Sequence, residues 1–202
     1  MNRASVYASV AFAGIALVGA SLASATTVQK FSLKDLTTKS NAIVMAKVED
    51  QSSRQDPGNK EIYTYITISV LQSVKGAQGE KTITIRQLGG TLGNLISVVP
   101  GMPSFKNGEE VVLFLSAKDG AGYPWVMGLQ QGKYSIVTDD NGLKHVRNEL
   151  DGLKMLSPNG SINESNKVSS DQPLGAFLDG IKTDLNTVDK VKVDPSNPTP
   201  IR

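Results

Sequence analysis

The residues that could do chemistry in this sequence are few. His145 is the single histidine, and the chain has no cysteine. A Ser-His-Asp triad would have to use His145, but no Gly-x-Ser-x-Gly sequence accompanies it. On a predicted hairpin strand His145 shares a face with Leu143 and Arg147, which is typical of a surface strand residue. The absence of cysteine excludes disulfides, thiolate metal sites and cysteine nucleophiles, and one histidine excludes a multi-histidine metal site in a monomer.

Acidic residues cluster at two places without a catalytic or metal-binding spacing. The run Asp139-Asp140-Asn141-Gly142 carries oxygen ligands, but a calcium loop alternates such residues and has a later glutamate, whereas Asn-Gly predicts a tight hairpin turn. Glu109 and Glu110 are adjacent, so in a strand they point to opposite faces and cannot act as an acid/base pair. We predict no catalytic residue, no metal and no cofactor, and leave open an enzyme whose carboxylates meet only in space.

The charge balance argues against a nucleic-acid partner. The 202 residues carry 21 basic and 19 acidic side chains, a formal net charge of +2. Removing Arg3, which lies in a segment that we expect to be cleaved, leaves 20 basic residues against 19 acidic ones, or +1. Proteins that bind nucleic acid usually carry a clustered basic excess. We therefore assign the tyrosines and Trp125 to packing rather than to base stacking.

The region best suited to recognition is a loop with a neighbouring polar bend. Residues 89–105 have no clear period and are punctuated by glycine and proline, and residues 128–133 place two glutamines between glycines. Long loops in compact domains are often functional. We predict a partner-binding edge formed by Arg86, Gln87, Gly89, Gly90, Phe105, Gln130 and Gln131. The alternatives are a sharp bend at a sheet corner for the glycine pair and an ordinary polar bend for the glutamines.

The first 25 residues predict a secretory signal peptide. Arg3 gives a positive start, residues 4–25 are uncharged, and Ala23-Ser24-Ala25 offers the small residues that signal peptidase reads. An uncleaved membrane anchor is the alternative, weakened by the interspersed serines and glycines. We expect an exported mature chain beginning at Thr26, with no integral membrane segment after cleavage. Small domains that eukaryotic cells secrete usually carry disulfides. A chain without cysteine therefore suggests export to a bacterial periplasm or to the medium.

The mature chain alternates short strands with turns. Period-two runs and short apolar runs predict strands at residues 42–49, 61–71, 81–88, 110–115, 123–129, 132–138 and 143–147. No helices alternate with these strands, which favours antiparallel over parallel pairing. We predict a mainly β fold, either a small antiparallel β-barrel or a sandwich, with a short helix at each end.

The two ends are predicted from capping patterns. Ser32 followed by Asp35 predicts a short N-terminal helix. Asp171 as N-cap, Pro173 in the first turn and an apolar stripe to residue 185 predict a C-terminal amphipathic helix. The predicted organisation is a signal peptide at 1–25, a β-domain at 26–149, a linker and helix at 150–185, and a disordered proline-rich tail at 186–202.

Several motifs together resemble a group of uncharacterised secreted bacterial proteins. They are Leu33-x-x-Leu36 before residues 42–48, Ile66-x-Ile68 before Val74-Lys75-Gly76, and residues 83–90, 101–115 and 128–134. The motifs cover roughly residues 33–147. The resemblance implies a secreted β-barrel without assigning it an activity.

The order of these strands is also similar to that of netrin-like domains, which include the tissue inhibitors of metalloproteases. The similarity rests on the strand pattern, on Val74-Lys75-Gly76 and on Gly108-Glu109 before an apolar strand. It implies an OB-type barrel. The inhibitors chelate zinc through an N-terminal cysteine, and here Thr26-Thr27 would stand at the new terminus, so their inhibitory mechanism is not implied.

These observations favour an exported, noncatalytic binding module whose partner is a protein or an envelope component, because small barrels commonly present loops for binding. An inhibitor of a secreted hydrolase is a special case of that function. A hydrolase that uses carboxylates alone is the enzymatic alternative.

Overall fold

The computed structural model describes residues 27–150, 153–157, 159–165 and 170–193. The predicted signal peptide and residues 194–202 of the predicted tail lie outside these ranges. The described elements are, in chain order, β1 Thr27–Gln29, α1 Leu33–Lys39, β2 Ala42–Gln55, β3 Ile62–Lys75, β4 Thr82–Leu88, β5 Gly90–Leu92, β6 Leu95–Ser97, β7 Glu110–Leu115, β8 Lys133–Thr138, β9 Lys144–Asn148, β10 Leu153–Leu156, β11 Ile162–Ser165, β12 Ser170–Pro173 and α2 Leu174–Val193. Neither described helix is long and apolar enough to cross a bilayer.

Seven strands form the main sheet, in the order β12-β9-β8-β7-β2-β3-β4. Every neighbouring pair is antiparallel, which confirms the prediction of a mainly β, antiparallel fold. Among the described strands, no pairing joins β4 to β12, so the ladder stays open. β7 was predicted with its observed bounds because its apolar residues occupy both faces, as expected for a central strand.

Each face of the sheet covers its own apolar core. One core joins β2, β3, β4 and β7 and receives Phe105 and Val126 from the connections around β7. The other lies under the two helices, where Phe177 of α2 and Leu36 of α1 pack on Phe114 and its neighbours. α1 starts as predicted, because the Ser32 hydroxyl accepts the Asp35 N–H and the Asp35 carboxylate accepts the Ser32 N–H.

The segment after β7 crosses from that strand to the free edge of β4. The Ser116 N–H donates to the Trp125 carbonyl at 2.9 Å, and the Arg86 N–H donates to the Pro124 carbonyl at 3.1 Å. The prediction of a strand at residues 123–129 is wrong, because only Val126 forms a strand bridge and Leu129–Gly132 is a 3-10 helix. The left-handed φ of Gly128, 71°, turns the chain out of the extended conformation.

Two strands are longer than predicted. β2 continues to Gln55 and β3 continues to Lys75, so part of the loop expected at residues 50–60 is strand. Residues 50–55 are polar but pair backbone to backbone with residues 62–67 of β3. The sequence pattern misses this extension because a strand with both faces near solvent has no apolar alternation.

The segment predicted as a linker at 150–170 contains strands instead. β10 pairs with β11 and, in parallel, with β1, while β12 pairs with β9. Asp171 therefore lies in a strand rather than at an N-cap, and α2 begins at Leu174. The strand tolerates Pro173 because it is the last residue of an edge strand. α2 runs to Val193, eight residues beyond the end predicted at residue 185.

Candidate functional site

A short hairpin follows the edge strand β4, and the hairpin and the residue just beyond it carry exposed apolar side chains. β5 and β6 pair antiparallel, with Thr91 opposite Ile96. Leu95 is 57% exposed, Ile96 is 72% exposed and Val98, just beyond β6, is 80% exposed. We call these three side chains the hairpin surface. No charged residue occurs in residues 87–105, so the loop that carries the hairpin surface is itself uncharged.

The root of the hairpin is fixed by close backbone approach. The Gly89 N–H donates to the Ile62 carbonyl at 2.7 Å, and the Thr64 hydroxyl donates to the Gly89 carbonyl at 2.7 Å. Gly90 has a φ of 141°, and a Cβ there would lie 2.3 Å from the Thr64 hydroxyl oxygen. The glycine pair therefore forms a sharp corner at the end of β4. This is the sheet-corner alternative that the sequence suggested for these two residues.

The return segment of the same loop is tied down at three points. The Gln87 amide donates to the Pro103 carbonyl at 3.2 Å, and the Gln51 amide donates to the Phe105 carbonyl at 3.1 Å. The Gln130 N–H donates to the carbonyl of Gly101 at 2.9 Å. These bonds hold the hairpin on a fixed base. Of the predicted edge, Gln87 and Gln130 thus contact this loop.

Two side chains of the predicted edge are buried, in addition to the buried backbone of Gly89. Phe105 is 7% exposed and packs in the core beneath the sheet. Gln131 is 3% exposed, and its side-chain oxygen accepts the Phe31 N–H at 2.8 Å while its amide donates to the Gln29 carbonyl at 2.9 Å. Gln131 thus ties the N-terminal segment to the sheet. Neither side chain is available to a partner at the surface.

Arg86 forms the centre of an aromatic and ionic cluster. Its Nη2 lies 2.7 Å from Oδ2 of Asp119, and its guanidinium lies 4.4 Å from the Tyr63 ring centroid and 5.4 Å from that of Trp125. The Trp125 indole N–H donates to the same carboxylate oxygen at 2.7 Å. The Arg86 side chain is only 12% exposed, so this arrangement is suited to hold the crossing segment on β4.

The Asp119 carboxylate is held ionised by its surroundings. Burial alone would raise its pKa, but the backbone N–H of Tyr123, the indole of Trp125, the backbone N–H of Ala121 and the charge of Arg86 together lower the pKa below its ordinary value. A carboxylate with several donors favours its charged form. The cluster therefore depends on a negative charge at Asp119.

We expect the free energy of unfolding to fall in acid through Asp119. Since its pKa is lower in the folded chain than in the unfolded chain, where it is about 3.9, its stabilisation is complete above that value and is lost as the pH falls through the folded value. Urea unfolding followed across roughly pH 5 to pH 2 should show this loss. Asp119→Asn should be less stable at neutral pH, and its free energy of unfolding should fall less steeply as the pH is lowered.

The control is Asp140→Asn, which changes an exposed carboxylate that makes no hydrogen bond or ion pair in the described residues. Its stability and its acid slope should equal those of the wild type. Because the pKa values of Asp35 and Asp139 are also lowered by hydrogen bonds, some slope should persist in Asp119→Asn. An unchanged slope in Asp119→Asn would contradict the assignment.

A buried cluster on β8 combines a hydroxyl, an amine and a carboxylate. Lys133 Nζ lies 2.7 Å from Glu109 Oε1 and 3.1 Å from the Ser135 hydroxyl, which itself donates to Glu109 at 2.6 Å. These are residue types that nucleophilic catalysis uses. The void beside them measures about 10 Å³, which is room for about one water. The cluster is suited to join the start of β7 to β8.

His145 lies between two carboxylates. Its Nε2 is 3.3 Å from Asp139 and its Nδ1 is 3.2 Å from Asp171, which also pairs with Arg147 at 3.0 Å. Within the described ranges, no hydroxyl or thiol is hydrogen-bonded to the imidazole, and no group of three or more metal-ligating side chains meets. The contacts join the β8–β9 turn to β12. They do not form a nucleophile and base pair.

No protein-family model matches this chain. A search of curated proteins also gives no match. The resemblances drawn from its motifs therefore stay predictions.

The seven residues of the predicted edge do not form one surface. Three of them, Gly89, Gly90 and Gln87, lie at the root of the hairpin. Phe105 lies in the core, Arg86 lies in the cluster with Asp119, and Gln130 and Gln131 lie in the 3-10 helix. Sequence reasoning missed the three exposed side chains of the hairpin surface. The sequence offered one signal for them, a run of apolar residues inside an uncharged loop. This run lacks the periodicity of a buried strand or helix.

Proposed function

We propose that this chain is an exported, noncatalytic binding module that docks a protein partner through the hairpin surface. The observation that carries the proposal is the exposure of Leu95, Ile96 and Val98 on a loop with a fixed root. Removing apolar area from water stabilises a complex by roughly 25 cal/mol per Å². A loop held by its own hydrogen bonds loses little conformational entropy when it binds.

The neutrality of the loop favours a protein over a charged envelope polymer or an anionic lipid surface. Residues 87–105 carry no charge, and Arg86 at their start is engaged with Asp119. Binding to an anionic bilayer or polymer would draw on a basic cluster beside the apolar residues. We therefore expect an apolar partner surface and an affinity that changes little with ionic strength.

Export and the barrel form belong to the same proposal. The pattern of residues 1–25 supports cleavage before Thr26 and a bacterial periplasmic or extracellular location. The hydrogen bonds from Ser116 to Trp125 and from Arg86 to Pro124 support a sheet that curls toward an OB-type barrel. The small void beside Lys133 and Ser135 supports a noncatalytic role over the carboxylate-based hydrolase.

The test is a cross-linking pull-down from the native envelope and culture medium, with mature chain as bait. A matched bait carries Leu95→Ser, Ile96→Ser and Val98→Ser. We expect one protein to be enriched by the wild-type bait and to be lost, by at least about tenfold, with the triple variant, since burying each such side chain is worth about 1.5 kcal/mol or more. Capture of a protease would identify the inhibitor form of this function.

The control bait carries Leu143→Ser and Ile162→Ser, which remove two other exposed apolar side chains, 51% and 60% exposed. It should capture the partner as the wild type does. Equal capture by all three baits would contradict docking through the hairpin surface. All three should have the same circular dichroism spectrum, because the substituted side chains lie at the surface.

A further inference from the structure

A concave site lies at the other end of β4 from the hairpin. β4 leads from Thr82 to Leu88, which separates its ends by about 20 Å at the rise of a strand. At the Thr82 end, the start of β2, the β3–β4 connection and the chain after β7 enclose a half-open pocket of about 220 Å³. The pocket is independent of the hairpin surface and of the proposed docking.

The floor of this pocket is apolar. Leu115 is 1% exposed, Ala77 is 4% exposed and Ile83 is 9% exposed, and Pro124 and Ala42 also belong to the apolar part of the lining. A cavity of about 150 Å³ with apolar walls already takes benzene. The space therefore suits one small aliphatic or aromatic side chain.

The walls of the pocket are held in place by backbone contacts. The Asn41 N–H donates to the Leu115 carbonyl at 2.8 Å, and the Ser116 N–H donates to the Trp125 carbonyl. Gly76 lies so close to the Asn41 carbonyl that a Cβ would approach it to 2.0 Å. The pocket is thus preformed, which lowers the entropic cost of filling it.

The rim carries one charge of each sign. Lys118 Nζ lies 3.9 Å from Glu80 Oε1, with the two side chains 64% and 46% exposed, a loose pair that a ligand can separate at little cost. The Asn41 side-chain amide makes no hydrogen bond within the described residues. A carboxylate can therefore be bound by Lys118 and Asn41, and an ammonium group by Glu80.

We propose that this pocket binds a free apolar α-amino acid. The α-carboxylate pairs with Lys118, the α-ammonium pairs with Glu80, and the apolar side chain rests on Leu115 and Ile83. Each part of the ligand meets a group of matching chemistry. The proposal stands apart from the protein partner, because hairpin and pocket share no residue.

The experiment is isothermal titration calorimetry of the mature chain with L-leucine as the probe. Glycine lacks the apolar side chain, and N-acetyl-L-leucinamide lacks both charges. We expect L-leucine to bind, and each of the other two compounds to bind at least about tenfold more weakly. A hydrogen bond to a charged group, or the burial of an apolar side chain, changes the dissociation constant by about tenfold. Equal binding of leucine and its uncharged derivative, or no binding of leucine, would overturn the proposal.

Two variants locate the site. Ala117→Phe, at an exposed residue that lines the pocket, should fill the space and abolish leucine binding. Lys118→Gln should weaken binding about tenfold. The control Lys144→Gln removes another exposed lysine that pairs with a glutamate, Glu110, and should leave the affinity unchanged. Wild-type affinity in Ala117→Phe and Lys118→Gln would overturn the assignment. The triple serine variant of the hairpin should bind leucine as the wild type does.

Discussion

Arg86→Met should lower the free energy of unfolding by about 2–3 kcal/mol. The substitution keeps much of the side-chain volume but leaves the Asp119 carboxylate without its cation, and removes the guanidinium from the Tyr63 and Trp125 rings. Losing one partner of a buried ion pair costs about 3–5 kcal/mol, and we expect less here because Arg86 and Asp119 keep 12% and 20% of their side-chain surface exposed. Urea unfolding at neutral pH, followed by far-ultraviolet circular dichroism, measures the change.

The matched control for Arg86 is Arg147→Met. Arg147 also pairs with an aspartate, Asp171, at 3.0 Å, but the two side chains are 50% and 47% exposed. An exposed pair contributes about 0–1 kcal/mol, so this variant should unfold close to the wild type. Equal effects of the two substitutions would show that burial of the Arg86 cluster contributes nothing, and would contradict its role in holding the crossing segment on β4.

Gly76→Ala should destabilise the chain by about 2–4 kcal/mol. The Cβ would lie 2.0 Å from the Asn41 carbonyl oxygen, and the φ of 73° is one that alanine rarely adopts. Asn41 cannot move away freely, because its N–H is bonded to the Leu115 carbonyl. Overpacking costs about 1–3 kcal/mol and the left-handed conformation adds about 1 kcal/mol. The midpoint of urea unfolding gives the measurement.

Gly79→Ala separates the two causes, since Gly79 lies in the same β3–β4 connection with a φ of 84° and nothing within 4 Å of an added Cβ. It should cost only about 1 kcal/mol, from the backbone conformation alone. If Gly76→Ala were no worse than Gly79→Ala, the close approach between Gly76 and Asn41 would not contribute to stability. The wall of the pocket would then be less fixed than its contacts indicate.

Local patterns predicted the elements that their own residues specify. β7 is apolar on both faces, the β8–β9 hairpin contains Asn141-Gly142, and α1 begins with the reciprocal bonds of Ser32 and Asp35. Patterns failed where the partner is distant in the chain. β1 pairs with β10 more than a hundred residues away, and its three residues carry no periodicity that could indicate this pairing.

The sequence singled out the loop for recognition but did not indicate which of its side chains are exposed. The region 89–105 does contain the exposed apolar hairpin, whereas Arg86, Phe105 and Gln131 are held by side chains and backbone from other elements. A glutamine in a polar bend is exposed in most contexts. Gln131 is buried because its amide bonds backbone groups of residues 29 and 31, about a hundred positions earlier. Only the assembled fold determines this kind of burial.

Site-specific photocross-linking tests the central proposal most directly. A photoreactive amino acid in place of Ile96, in the full chain expressed in its native cell, would report what lies against the hairpin surface. The same amino acid in place of Ile162, which is 60% exposed on β11, is the control. We expect a discrete protein adduct from position 96, unchanged in high salt, and none from position 162. No adduct from position 96, or the same adducts from both positions, would contradict a protein partner at the hairpin.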